Sequence, residues 1–237
     1  MSLPGQRLVL AALLALAALS WVYLWLAPMP MPGARGVSEP TYIVASFLMW
    51  FIMMIAMMTP AVAPVVLLFH RSHPQPDLRA RRSAAFVAGY LAVWLAFALV
   101  ATLLQALLIR SGVVDSMAVS RFSTWSAALL VTAGIYQWLP VKAHCLQHCR
   151  DPILFLTKHY RPGLAGAWRT GIAHGTYCLG CCVLLMLLLF VAGAMNLLLV
   201  AALTVLITLE KLAPIGDRLR WLIGAVLIVA GGWVLTT

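Results

Sequence analysis

Residues 171–209 read GIAHGTYCLGCCVLLMLLLFVAGAMNLLLVAALTVLITL and contain no Lys, Arg, Asp or Glu. One straight helix of this length would extend about 58 Å, whereas the hydrocarbon core of a bilayer is about 30 Å thick. The run is therefore predicted to fold into two membrane spans. Its break is placed at Gly193-Ala-Met-Asn196, the segment with turn-forming residues. A long interfacial helix is the alternative.

The rest of the chain has the composition of a membrane protein. Of its 237 residues, 64% are hydrophobic and 9% are charged, and the mean hydropathy is +1.00. A soluble domain of this length has a different composition. Apolar runs long enough to cross a bilayer predict an all-α, polytopic membrane helix bundle with about seven transmembrane helices, in a single domain covering residues 1–237. The predicted spans are residues 8–27, 41–69, 84–109, 123–141, 171–192, 194–210 and 219–236.

The formal net charge of +10 is distributed asymmetrically along these spans. If the N-terminus is inside, all but three of the 16 Lys and Arg residues fall in inner segments, the exceptions being Arg35, Arg110 and Arg121. Inner segments of membrane proteins are enriched in Lys and Arg. The pattern predicts a cytoplasmic N-terminus and an external C-terminus, and it removes the need for a nucleic-acid partner. The first span could instead be a cleaved signal peptide, but its apolar stretch is long and Ala27-Pro28 is a poor cleavage site.

Two short runs hold all five cysteines, and the first is Lys142-Ala-His-Cys-Leu-Gln-His-Cys-Arg150. Pro140 and Pro152 flank it, which predicts a short separate helix or a kinked extension of the fourth span. On a helix, four soft side chains share one broad face: His144, Cys145, His148 and Cys149. The alternative is an amphipathic helix with incidental soft residues. Thiols on the cytoplasmic side stay reduced, so structural disulfides are not expected.

The second run, 174–182, lies in the fifth span. Its soft side chains form a narrow stripe with one neighbour: His174, Cys178 and Cys181, with Cys182 beside them. The alternative is that these cysteines are small apolar residues packed between helices. Gly175 and Gly180 are predicted to let a neighbouring helix approach closely.

A third run in the second span carries a methionine stripe with two flanking members: Met49, Met53 and Met57, with Met54 and Met58. Methionine often only fills a core. Together, however, cysteine, histidine and methionine favour Cu(I) over harder metal ions. Thiolates are expected to bind most strongly, with Lys142 and Arg150 helping to keep them ionised, and the thioethers to form a weaker relay.

Other polar residues are given structural interpretations. Glu210-Lys211 is predicted to anchor the sixth span at the inner surface, although a carboxylate near a membrane always deserves a functional hypothesis. His70 and His159 are expected to be solvated. Gln105 and Asn196 are predicted to hydrogen-bond between helices.

Several of these motifs resemble a bacterial family. They are MMIAMMTP at 53–60, the 142–152 segment, RTGIAHGTYCLGCC at 169–182, Gly193-Ala-Met-Asn196 and Glu210-Lys211. The family is the predicted metal-binding integral membrane proteins, regarded as copper chaperones and associated in some members with copper supply to tyrosinase-type oxidases. The resemblance covers residues 41–215, with one departure at Val183, where the family pattern has tryptophan.

The residues and the resemblance together predict a protein of the bacterial inner membrane that is not an enzyme. It would bind Cu(I) between the second span, the 141–150 helix and the fifth span, and deliver it to a copper-dependent oxidase. Three alternatives stay open: a copper transporter, a membrane thiol oxidoreductase, and a structural site for zinc, the second choice of metal.

Overall fold

The computed structural model describes residues 4–26, 39–72, 76–115, 119–120, 123–193 and 196–236. These residues are helical apart from turns and an isolated antiparallel bridge between Val114 and Ser120, which confirms the predicted all-α class. The helices are α1 (Pro4–Leu26), α2 (Glu39–Arg71), α3 (Pro76–Arg110), α4 (Ser123–Trp138), α5 (Pro140–Arg150), α6 (Pro152–His159), α7 (Gly163–Leu187), α8 (Leu189–Ala192), α9 (Leu197–Leu212) and α10 (Gly216–Thr236).

Five helical segments in the described ranges are long and apolar enough to cross a membrane: Gly5–Leu26, Glu39–Arg71, Leu78–Arg110, Gly163–Val191 and Gly216–Thr236. The predicted fourth and sixth spans correspond to α4 and α9. Each has 16 residues, or about 24 Å of helix, which is shorter than a hydrocarbon core of about 30 Å. Seven spans and their orientation therefore stay predictions. Residues 27, 194 and 195, at predicted span ends, lie outside the described ranges.

The proline-flanked segment forms a helix of its own, as one of the two predicted arrangements has it. The backbone leaves the helical conformation at Leu139, and α5 begins with Pro140 in its first turn, where the missing N–H costs nothing. The Asp151 carboxylate then caps α6 by accepting a hydrogen bond from the Leu154 N–H at 2.9 Å. The cysteines of α5 are thus held on a short helix that is separate from both α4 and α6.

The predicted break in the apolar run is confirmed. Gly193 has a φ of 94°, a conformation that suits glycine. The Asn196 side chain accepts a hydrogen bond from the Leu199 N–H at 3.1 Å and so caps α9. The hydrogen bond that the structure gives for the Asn196 side chain is thus within α9, and its predicted role between helices stays a prediction. Gln105 does, since it accepts from the Trp50 indole at 2.6 Å.

Helices α3 and α7 run parallel and approach to backbone contact. A Cβ at Gly171 would collide with the Phe86 carbonyl oxygen, and one at Gly175 would lie 2.9 Å from Val93 Cγ2. The predicted close approach at Gly175 is confirmed, and it is made to α3. Because glycine lets the two backbones touch, the position of α7 relative to α3 is closely defined.

Three helix ends meet where Arg7 of α1, Arg71 of α2 and Pro152 of α6 line one cavity, and this is a basic end of the bundle. His70 near the end of α2 is buried, with Nδ1 3.0 Å from the Ser83 hydroxyl of α3. The expectation that His70 is solvated was wrong, because α1 and α3 pack over it. At the same end, Arg150 of α5 forms an ion pair with Asp217 at the start of α10, at 2.9 Å.

Candidate metal site

The two cysteine runs meet where α5 packs against α7. The Sγ atoms of Cys149 and Cys181 are 3.9 Å apart, and the Cys178 side chain lies close enough to interact electrostatically with Cys149. Both runs therefore contribute to one thiol cluster, whose members are buried: Cys149, Cys178, Cys181 and Cys182. All cysteines of the chain are free thiols in the structure.

The spacing along α7 places the sulfurs against the helix backbone. The Cys178 carbonyl accepts from the Cys181 thiol at 3.1 Å and from the Cys182 thiol at 2.9 Å. These contacts follow from positions i+3 and i+4 on a helix. The predicted cysteine stripe is thus brought together on the buried side of α7.

Cys145 occupies the edge of this cluster and is half-buried. A Cβ at position 180 would lie only 2.8 Å from the Cys145 sulfur, so Gly180 admits α5 to α7 as predicted. Burial raises the pKa of the Cys145 thiol, and the nearby Cys181 raises it further. A free Cys145 is therefore harder to ionise than an ordinary cysteine.

Lys142 and Arg150, expected to support the thiolates, have other partners. Lys142 is completely buried and forms an ion pair with Glu210 of α9 at 2.7 Å, while its ammonium also donates to Gln137. Arg150 pairs with Asp217 and donates to the Ala213 carbonyl at 3.1 Å. The sequence placed these cations correctly near the cysteines, but carboxylates on α9 and α10 neutralise them.

The cation that reaches the sulfurs is Lys211, which sequence reasoning assigned to the membrane surface. Its Nζ lies 2.9 Å from Cys178 Sγ, and only 3% of the residue is exposed. The Tyr90 hydroxyl of α3 is 3.1 Å from the same sulfur. The adjacent Glu210-Lys211 pair was a usable signal, but surface anchoring was wrong because α9 turns both side chains into the bundle.

His174 lies one helical turn before Cys178 and is buried among aromatic rings. Its ring is 4.7 Å from that of Phe155 and 5.8 Å from that of Tyr90. Its Nδ1 is buried without a hydrogen-bond partner in the described structure. A buried ring nitrogen with a free lone pair is a potential metal ligand.

The two histidines of α5 differ in their exposure to solvent. His144 is exposed while His148 is buried, although their rings are 4.6 Å apart. Tyr177 of α7 stacks on His148 at 4.3 Å, and His159 of α6 lies 5.8 Å from it. The broad face predicted for α5 is therefore partly exposed and partly buried. His159, which was expected to be solvated, is half-buried beside His148.

All the methionines of the α2 run are buried: Met49, Met53, Met54, Met57 and Met58. Met58 reaches the thiol cluster, since its sulfur is 3.9 Å from Lys211 Nζ and its carbonyl accepts from Tyr90 at 3.4 Å. The other four lie in the same hydrophobic core. Met58, which the sequence placed on the flank of the stripe, thus shares Lys211 as a neighbour with Cys178.

Within the described part of the chain, no group of three or more His, Cys, Asp or Glu side chains is arranged to hold one metal ion. The thiols of Cys149 and Cys181 provide a pair of donors 3.9 Å apart. Metal–thiolate bonds of about 2.3 Å, as found for zinc, would let both sulfurs reach a single ion between them. The donor set is soft, which suits Cu(I) as cargo.

Comparison with known proteins gives the chain a family. It matches no curated protein and no solved structure. The family model for PpoB2, described as a copper chaperone, matches residues 47–234, which include most of α2, all of α5, α7 and α9, and hence every donor named above. This match supports a general role in copper handling and points to a non-catalytic protein. The chain belongs to the PpoB2 copper chaperone family, as its sequence motifs predicted.

Proposed function

We propose that this protein is a copper chaperone of the bacterial inner membrane, forming a single membrane domain over residues 1–237. It binds Cu(I) through the thiol cluster of α5 and α7 and passes it to a copper-dependent oxidase. The observation that carries the proposal is the meeting of Cys149 with Cys178 and Cys181 in a buried cluster, within a chain of the copper chaperone family.

In this proposal the remaining predicted ligands differ in how early and how strongly they bind copper. Exposed His144 and half-buried Cys145 are the first donors that copper meets, and buried His148 and His174 flank the cluster. The thioethers of α2 bind more weakly than thiolates and continue from Met58 into the bundle. Graded affinity suits a chaperone, because a metal ion that is held too tightly cannot be handed on.

The experiment is metal loading under anaerobic, reducing conditions. Purified protein in lipid nanodiscs is offered Cu(I) and Zn(II) together, and the retained metal is identified by elemental analysis and X-ray absorption. We expect retained Cu(I) with sulfur neighbours, and its transfer to a metal-free copper oxidase measured by recovered oxidase activity. Zinc that is retained stoichiometrically despite excess Cu(I) would support a structural zinc site instead. A thiol–disulfide change that is coupled to turnover of a substrate would support the oxidoreductase alternative.

A copper transporter is the second candidate, and the contact between Met58 and Lys211 favours it. This contact joins the thiol cluster to the buried methionines of α2, which continue away from the basic end of the bundle. The same donors could then carry copper across the membrane rather than to a partner on one side.

The double substitution Met53→Leu with Met57→Leu distinguishes the two candidates. Leucine keeps the volume and removes the sulfur, so the fold should lose less than about 1.5 kcal/mol per site. A chaperone loaded at the thiol cluster should keep its bound Cu(I) and its delivery to the oxidase. Both are measured in nanodiscs as above, and copper flux is measured in sealed vesicles. Copper flux by the wild-type protein that the double variant abolishes would establish transport and contradict the chaperone assignment.

A further inference from the structure

Lys211 is a buried cation whose nearest partners are sulfur atoms. Its Nζ is 2.9 Å from Cys178 Sγ and 3.9 Å from Met58 Sδ. In the described structure no carboxylate lies within 4.0 Å of this ammonium group. The neighbouring Glu210 faces α5, where Lys142 neutralises it at 2.7 Å. Among the described residues, the anion-forming group in direct contact with Lys211 is therefore the Cys178 thiol.

The charge of a metal complex in this cluster depends on the valence of the metal ion. Thiol ligands bind metals as thiolates, so two thiolates with Cu(I) carry a net charge of −1, and two thiolates with Zn(II) are neutral. Adding the ammonium group of Lys211 makes the first assembly neutral and leaves the second with a charge of +1. An uncompensated charge is costly in a buried site.

We propose that Lys211 is a specificity-determining residue, which supplies the counter-charge for a dithiolate complex of a monovalent metal ion and disfavours a divalent one. The inference rests on the proposed copper site and adds the basis of its selectivity. Cys178 is the cluster thiol in direct contact with Lys211, and it lies on the same face of α7 as Cys181, whose sulfur is 3.9 Å from that of Cys149. The Tyr90 hydroxyl of α3 lies 3.1 Å from the Cys178 sulfur and helps to hold it in position.

The test uses two redox-inert soft ions that differ in charge, Ag(I) and Cd(II). Wild-type protein and the Lys211→Met and Lys211→Arg variants are loaded in nanodiscs from mixtures of the two ions, and the retained ratio is measured by mass spectrometry. We expect Lys211→Met to lower the Ag(I)-to-Cd(II) ratio by roughly tenfold or more, because the two ions differ by one unit of charge and the ammonium group acts on that difference at short range. Lys211→Arg keeps the positive charge, so its Ag(I)-to-Cd(II) ratio should stay close to the wild-type value.

The matched control is the double variant Lys142→Met with Glu210→Met. It removes a buried ion pair next to Lys211 without changing the net charge, so the metal ratio should stay near the wild-type value. Thermal unfolding without metal shows whether each variant is folded.

An unchanged ratio in folded Lys211→Met, or an equal loss of both ions, would overturn the selectivity role. Failure of the wild-type protein to retain Cu(I) would instead contradict the proposed function, so the two failures are distinguishable. A ratio that falls in Lys211→Met and recovers in Lys211→Arg supports the inference.

Discussion

Cys149→Ser is expected to weaken Cu(I) retention by roughly two orders of magnitude or more, the largest loss of any single cysteine substitution in α5. Cys149 is the buried thiol of α5, and its sulfur is 3.9 Å from that of Cys181 on α7. Serine keeps the size of the side chain but offers a hard oxygen donor in place of sulfur, which a soft ion binds poorly. Retention is measured anaerobically by competition with a chromophoric Cu(I) chelator.

Cys145→Ser is the matched comparison, because it makes the same chemical change on the same helix. Cys145 is half-buried at the edge of the cluster, so its substitution should cost distinctly less. Equal losses from the two substitutions, or wild-type retention by folded Cys149→Ser, would contradict the thiol cluster as the principal copper site.

Glu210→Gln is expected to destabilise the fold by about 3–5 kcal/mol, because it leaves Lys142 buried without its counter-charge. The two side chains are 0% and 1% exposed and 2.7 Å apart. The pair joins α5 to α9, so its loss should also loosen the helix that carries Cys149. The free energy of unfolding is measured by denaturant titration in detergent micelles, with the variant and the wild-type protein side by side.

The double substitution Lys142→Met with Glu210→Met is the control for this prediction. It removes both charges and fills the space with apolar atoms, so it should recover most of the lost stability, as replacement of buried ion pairs often does. A double variant as unstable as Glu210→Gln would mean that the packing at these positions, and not the unpaired charge, causes the loss.

The sequence predicted the elements of this fold that depend on local pattern. Pro140 and Pro152 marked the limits of α5, and Gly193 with Asn196 marked the break before α9. Both are properties of the backbone that a residue type imposes on its neighbours. Span lengths were less predictable, because the apolar run continues past the end of α4 at Trp138 to Val141, which belongs to α5.

The cysteines could be predicted as a site, but the charges around them could not. Helical spacing puts Cys178, Cys181 and Cys182 on one side of α7, and this needs only the helix period. The partners of Lys142 and Lys211 depend on how α9 is rotated against α5 and α7. Adjacent residues 210 and 211 point about 100° apart on a helix, and no local pattern states which neighbour each one meets.

The thiol cluster lies on two helices, α5 and α7, and their positions are fixed by different kinds of contact. α7 rests on α3 through a backbone contact at Gly171, which no side-chain rotation can relax. The short helix α5 packs against α7 and is also tethered by ion pairs, and one of these, Arg150 with Asp217, is largely open to solvent on the Asp217 side. Exposed ion pairs are weak and are screened by salt. A displacement that separates Cys149 from Cys181 is therefore expected to move α5 and to leave α7 in place against α3.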